Sequence, residues 1–213
     1  MGDRAGSAGL RALPCGDAGV LFELSGLDEV LALHAALEAR PPSGVVDVVP
    51  AARTLLVRFD PRRTGPDDVE RDVRGTEPVS VSRQPGQVLE VPVVYDGPDL
   101  ADVAELTGRP ERDVIAEHTA TEWTVAFGGF APGFGYLTGQ GWPLDVPRRA
   151  ESRTRVPVGS VGLAGTFSGV YPRSSPGGWQ LIGRTELPMW DVDRDPPALL
   201  RPGVRVRFVE VAS

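Results

Sequence analysis

The 213-residue sequence predicts a small α+β unit followed by a mainly β, barrel-like domain. Three observations carry this prediction. The chain contains 26 glycines and 21 prolines, more than a fifth of its length, which implies many turns. The first third orders its apolar periodicities as β-β-α-β-β-α. From Gly128 onward the pattern becomes apolar runs of four to six residues between Gly or Pro pairs, the signature of a closed or nearly closed barrel.

In the first unit, residues 10–24 read as two strands joined at Cys15-Gly16-Asp17-Ala18-Gly19, the second being the apolar run Val20–Leu24. Between Asp28 and Ala39, Val30, Leu31, Leu33 and Leu37 recur at helical steps. Asp28 and Glu29 complement the dipole of that helix at its start, and Pro41-Pro42 end it. Residues 45–49 and 54–59 are strands, and Pro66 opens a short acidic helix over 66–73. Residues 76–86, poor in apolar side chains, read as a linker, so the expected domains are 1–84 and 85–213.

The second domain begins with a strand over 88–95, helices over 99–107 and 110–118, and a strand over 123–127. Short apolar runs then recur at 156–158, 161–164, 169–171 and 179–182. Residues 204–211 close the domain, alternating Val204, Val206 and Phe208 against Arg205 and Arg207 as a half-buried strand does. No internal repeat is visible.

Composition excludes several chemistries. The net charge of -7 gives no global attraction to nucleic acid or anionic lipid. A single cysteine, Cys15, and two histidines, His34 and His118, leave no disulfide framework or multi-residue zinc set within the chain. All 22 basic residues are arginine, so Schiff-base, Walker-type and biotin-bearing lysines are ruled out. No apolar run is long enough to span a bilayer, and the N-terminus has no signal-type core; a soluble, cytoplasmic protein is expected.

Three features are candidates for chemistry. His118 falls where a helix should end, a position that favours the protonated ring; it either caps the helix or serves as an anion-binding proton donor. Residues 128–137 interleave four glycines and a proline with three aromatic rings, as a tight ordered loop does. Arg148, Arg149, Arg153 and Arg155 lie within eight residues, forming either a solvated rim or a local anion site. Beyond them, Gly159-Ser160-Val161-Gly162 is either an ordinary turn or a source of hydroxyl and N–H groups for the same anion. Ser160 as a nucleophile requires His118 within hydrogen-bond reach.

These residues also carry a resemblance. His118-Thr119 with Phe130-Ala131-Pro132-Gly133-Phe134-Gly135-Tyr136-Leu137 is similar to an H-[ST] … GF-x-PGF-x-YL signature. Pro147-Arg148, Arg153 and the run from Val156 to Gly162 resemble a PR … R … VP-x-GSV-G block. Gly169-Val170-Tyr171-Pro172 and the run from Pro176 to Thr185 resemble G-[VI]-YP … PGGW-x-[LI]-IG-x-T. With Val49-Pro50 and Leu55–Pro61, the blocks resemble the sporulation kinase inhibitor / 5-oxoprolinase B-subunit family, also labelled allophanate hydrolase subunit 1, of the carboxyltransferase subdomain C/D type.

The resemblance implies a cyclophilin-like barrel, ATP-dependent opening of 5-oxoproline to L-glutamate, and action together with a paralogous C subunit and a lactam-utilisation-type A subunit. It implies an ATP site shared with a partner, no biotin on this chain, and a cleft lined by His118, Arg148, Arg153 and Ser160. Two other roles are compatible with it: a regulatory module that docks on a kinase, and a carboxyltransferase-like component of a urea or allophanate pathway. Phe167-Ser168 replaces the Gln-Thr of many relatives, and Ser152 replaces a proline.

Overall fold

A computed structural model describes residues 10–79 and 88–212. The chain forms two compact units, Met1–Arg83 and Gln84–Ser213. Most of the expected linker, the expected boundary at 84/85, and residues 1–9 lie outside the described residues.

The first unit is a four-stranded antiparallel sheet with two helices. Strands β1 (Arg11–Pro14), β2 (Gly19–Glu23), β3 (Val45–Pro50) and β4 (Thr54–Phe59) lie in the order β1-β2-β4-β3. Helix α1 (Leu27–Ala39) buries Val30, Leu33, Ala36 and Leu37, and α2 (Pro66–Arg74) buries Val69 and Val73. These meet Phe22, Leu55 and Val57 from the sheet in one apolar core. Val30, Leu33 and Leu37 of the stripe read from the spacing are thus buried, whereas Leu31 is only half-buried and Ala36 joins the buried face in its place. The first turn of α1 is held by Glu29, whose Oε2 accepts bonds from the Ser25 N–H (2.9 Å) and hydroxyl (2.5 Å); those bonds hold the Glu29 carboxyl below its usual range.

The second unit is built on a seven-stranded sheet. It comprises β5 (Val88–Val93), β6 (Trp123–Gly128), β7 (Gly135–Gly139), β9 (Ser160–Ala164), β10 (Phe167–Val170), β12 (Gln180–Arg184) and β13 (Arg205–Glu210), in the order β12-β9-β10-β7-β6-β13-β5. A separate ribbon pairs β8 (Arg153–Val156) with β11 (Ser175–Gly177). The two ends of the large sheet meet just beyond β5, where Val94 and Arg184 exchange N–H···O bonds of 2.9 Å. The sheet is thus barrel-like and nearly closed. Mutual satisfaction of its terminal backbone groups removes part of the edge that an open sheet would expose.

Helices α3 (Leu100–Thr107) and α4 (Glu111–Ala120) follow β5. α3 packs on β12 and α4 on β13. Alternation along the strands separates two apolar regions. Val125, Leu137, Val161, Leu163, Val170, Ile182 and Phe208 share one core, whereas Phe134, Ala164, Tyr171, Trp179 and Leu181 form a second cluster with Val156 of the ribbon. In β9, for example, Val161 and Leu163 enter the first and Ala164 the second. Close packing fixes the join to α3: a Cβ on Gly97 would lie 2.3 Å from the Leu181 carbonyl oxygen. Only glycine allows the chain to pass β12 at that distance.

Candidate functional site

His118 is fully buried in the last turn of α4. Its Nδ1 is 2.7 Å from the Tyr95 hydroxyl and its Nε2 is 2.9 Å from the Ser168 hydroxyl. The ring stacks on Phe208 at 4.3 Å and is flanked by Trp123 and Trp142. From the sequence, the helix terminus exerts an upward pull on this pKa. The structure reverses that direction: complete burial drives the pKa down to about 3, so the ring is neutral at physiological pH. Both ring nitrogens are engaged by neutral hydroxyls, which makes His118 a tie between α4, the end of β5 and β10.

Ser160 is buried at the start of β9. Its neighbours Val161 and Leu163 belong to the core that surrounds His118, with Val161 next in the chain, so alternation turns Ser160 to the opposite face. Because Tyr95 and Ser168 occupy the two imidazole nitrogens, the Ser160–His118 dyad does not form.

The four clustered arginines do not converge on one site: two share a carboxylate, one bonds a hydroxyl, and one is unpaired among the described residues. Arg149 Nη1 and Arg153 Nη2 both donate to Asp99 Oδ1, at 2.7 and 2.6 Å, while Asp99 Oδ2 accepts the Leu181 N–H at 2.7 Å. Asp99 is 1% exposed. Burial pushes its carboxyl pKa up, but the bonds from Arg153 and Leu181, with the charges of Arg153 and Arg149, outweigh it and leave the pKa below the usual value. Arg155 Nε donates to the Ser174 hydroxyl at 3.2 Å.

Arg148 is exposed and has no ion pair or hydrogen bond among the described residues. Its charge acts on two tyrosine hydroxyls, those of Tyr136 and Tyr171, and opposes the upward push that burial gives to both. Tyr171 also accepts a bond from the Trp179 N–H and feels the charge of Arg153. The rings of Phe134, Phe167 and Trp179 pack against that of Tyr136, and Phe134 also against Tyr171. Phe130 stands beside them, 57% exposed, with φ at 64°, a left-handed conformation uncommon for a bulky residue. Its ring meets Phe134 and Tyr171 edge-on at 5.3 and 6.0 Å.

The structure therefore brings Arg148 and Arg153 to bear on one hydroxyl, Tyr171, and places His118 in the interior with both nitrogens occupied. This aromatic face holds a free guanidinium beside phenolic O–H groups, a set able to bind an anion and donate protons to its oxygens. Nothing in the sequence reading singles out Asp99, Tyr95, Ser168, Tyr136 or Tyr171 as site residues. The two latter tyrosines lie inside the motif blocks, which is a usable signal. Asp99 has none, because a carboxylate before an apolar run reads as a helix cap.

A nearly closed sheet carrying these motif blocks has known counterparts. The chain matches the family described as carboxyltransferase domain, subdomain C and D, over residues 10–200, and it belongs to that family. It is 46% identical over 169 residues to the 5-oxoprolinase B subunit of Escherichia coli O157:H7, an alignment covering 78% of each chain. To the 5-oxoprolinase B subunit of Bacillus subtilis (strain 168) it is 38% identical over 202 residues, covering 85% of this chain and 83% of that one. Among solved structures, the crystal structure of TTHA0988 is similar with a TM-score of 0.74 and 38% identity. That match covers 92% of this chain and 40% of the other, so this chain spans two fifths of the length of that structure.

Proposed function

We propose that the chain is the B subunit of an ATP-dependent 5-oxoprolinase, which opens the lactam of 5-oxoproline to L-glutamate together with a paralogous C subunit and a lactam-utilisation-type A subunit. The carrying observation is the 46% identity to a 5-oxoprolinase B subunit, with 78% of both chains aligned. On this reading the first unit is an α+β domain, the second a cyclophilin-like barrel domain, and the protein works in the cytoplasm; among the described residues no helix is long and apolar enough to cross a membrane.

A lactam carbonyl is a poor electrophile. Transfer of a phosphoryl group to its oxygen makes the carbon reactive toward water. The ring C–N bond then breaks as the nitrogen takes a proton, and a second water displaces phosphate from the acyl phosphate so formed, leaving the carboxylate. The residues needed for such a step are cations and proton donors rather than a P-loop. Arg148 holds a carboxylate or phosphoryl oxygen, Arg153 adds its charge from the Asp99 pair, and the Tyr136 and Tyr171 hydroxyls donate to the anion. Ser160 begins the strand whose backbone pairs with Tyr171. His118 acts from behind the sheet as a positioning residue, by fixing Ser168 in β10. The ATP site is shared with a partner subunit.

Reconstitution tests this reading. Co-expression with candidate A and C subunits is expected to yield an assembly that releases glutamate from 5-oxoproline only when ATP is present. A well-folded assembly that releases none would refute it.

A further inference from the structure

The hairpin that joins β6 to β7 holds Phe130 in a strained backbone conformation. The Ala131 N–H donates to the Gly129 carbonyl at 2.7 Å, closing a three-residue turn centred on Phe130 with φ at 64°. A γ-turn of that hand is rare and strained. Among the described residues Phe130 is the one residue other than glycine with a positive φ. The surroundings hold the turn in place. The Phe134 N–H donates to the Ala131 carbonyl at 2.9 Å and the Gly129 N–H to the Phe134 carbonyl at 3.2 Å, while a Cβ on Gly133 would lie 2.8 Å from the Cβ of Trp190. Strain of this kind persists only where the neighbouring structure over-determines it.

Burial does not account for the phenylalanine, since more than half of it is exposed. Its ring contacts are edge-on, to Phe134 at 5.3 Å and to Tyr171 at 6.0 Å. Glycine, which takes a positive φ freely, stands at 128, 129, 133 and 135 of the same hairpin, so the turn itself does not call for a bulky side chain. The ring is therefore placed for a contact outside the chain. Arg148 comes to the same tyrosine by another route. The next residue, Arg149, donates its N–H to the Gly178 carbonyl at 2.9 Å, and a Cβ on the neighbouring Gly177 would collide with the Tyr171 hydroxyl. An exposed apolar ring and an exposed cation thus border Tyr171.

The structure assigns to Phe130 the selection of the closed lactam, an inference that rests on the 5-oxoprolinase reading. 5-Oxoproline has an anionic edge, its carboxylate, and an apolar edge, its two ring methylenes. With the carboxylate on Arg148, the methylenes lie on the exposed ring of Phe130. Opening the lactam turns that edge into a flexible arm ending in a second carboxylate. A charged oxygen set against an apolar ring loses water without gaining a partner. Phe130 therefore holds the closed substrate better than the open product, and takes part in no covalent step.

Steady-state kinetics of the reconstituted A, B and C assembly test it with two substitutions in this chain. Phe130→Asn removes the ring and suits a positive φ, whereas Phe130→Leu keeps an apolar surface at the strained position. Phe130→Asn is expected to raise KM for 5-oxoproline about tenfold with kcat within about threefold, as loss of a binding contact does; Phe130→Leu is expected to keep KM within about threefold of wild type. The inhibition constant of added L-glutamate is expected to move by less than about threefold in Phe130→Asn. Its melting temperature is expected within about 4 °C of wild type, because released strain offsets the two lost edge contacts. Beside an active wild type, an unchanged KM in Phe130→Asn, or an equal weakening of glutamate, would overturn the inference alone. So would loss of the A or C subunit from that variant's assembly, which would mark the ring as a subunit contact. A melting temperature lower by more than about 8 °C would mark it as packing and overturn the inference too. A wild-type assembly that releases no glutamate would overturn the 5-oxoprolinase reading and this inference with it.

Discussion

Replacing His118 by phenylalanine separates the shape of this residue from its chemistry. The ring stack on Phe208 at 4.3 Å survives, but the Tyr95 and Ser168 hydroxyls lose their partner, at a cost of about 1–3 kcal/mol. The pH dependence is more diagnostic. In the folded state the imidazole pKa is about 3, below the ordinary 6.5, because burial penalises the cation. A depressed folded pKa means that the unfolded chain binds the proton and the folded chain does not. The contribution to stability is therefore complete above about pH 6.5 and shrinks as pH falls from there toward 3. Between about pH 7.5 and 5.5 the wild type loses about 1 kcal/mol through this one group. Asp99 does not interfere, since its depressed pKa is felt only below the ordinary 3.8. His34 is present in both proteins and cancels in their difference.

Urea unfolding read by tryptophan fluorescence measures this directly, because Trp123, Trp142, Trp179 and Trp190 all lie in the second unit. The gap between wild type and His118→Phe is expected to narrow by about 1 kcal/mol on acidification from about pH 7.5 to 5.5. A gap that stays constant, or widens, would refute the assignment of His118 as a buried neutral ring.

Asp99→Asn removes the anion shared by Arg149 and Arg153 and should destabilise the second unit by about 2–3 kcal/mol, somewhat less than breaking a fully buried pair because both arginines keep partial solvent contact; chemical denaturation reads the loss. Gly159→Ala places a Cβ 2.1 Å from the Thr185 carbonyl oxygen at a φ of +79°, so the variant should unfold more easily by about 2 kcal/mol or more, visible as a lower melting temperature. Arg155→Ala breaks only the bond to the Ser174 hydroxyl on the exposed ribbon and should change stability by less than about 1 kcal/mol in the same measurement.

Much of the fold is legible in the sequence because it rests on local periodicity. The α1 stripe, the β4 run at 54–59 and the alternation of β13 each follow from the spacing of apolar residues. What spacing does not encode is which strands meet. The order β12-β9-β10-β7-β6-β13-β5, with β5 parallel to β13, depends on contacts more than a hundred residues apart. The same limit explains the site. Four arginines in eight residues look like one anion cluster, yet Asp99, some fifty residues earlier in the chain, claims two of them. The expectation for His118 follows from the helix dipole, a force of at most about 2 kcal/mol. Desolvation of a ring sealed by Trp123, Trp142 and Phe208 is larger, and burial of that degree is set by tertiary packing alone.

Anion chemistry at the aromatic face around Arg148 is tested most directly by the ATP-dependent glutamate release of the reconstituted A, B and C assembly carrying Arg148→Gln, beside the wild type. Activity is predicted to fall by about a hundredfold or more, with the melting temperature of the chain unchanged because Arg148 is exposed and unpaired among the described residues. Full activity in that variant would contradict a role for this face in the reaction.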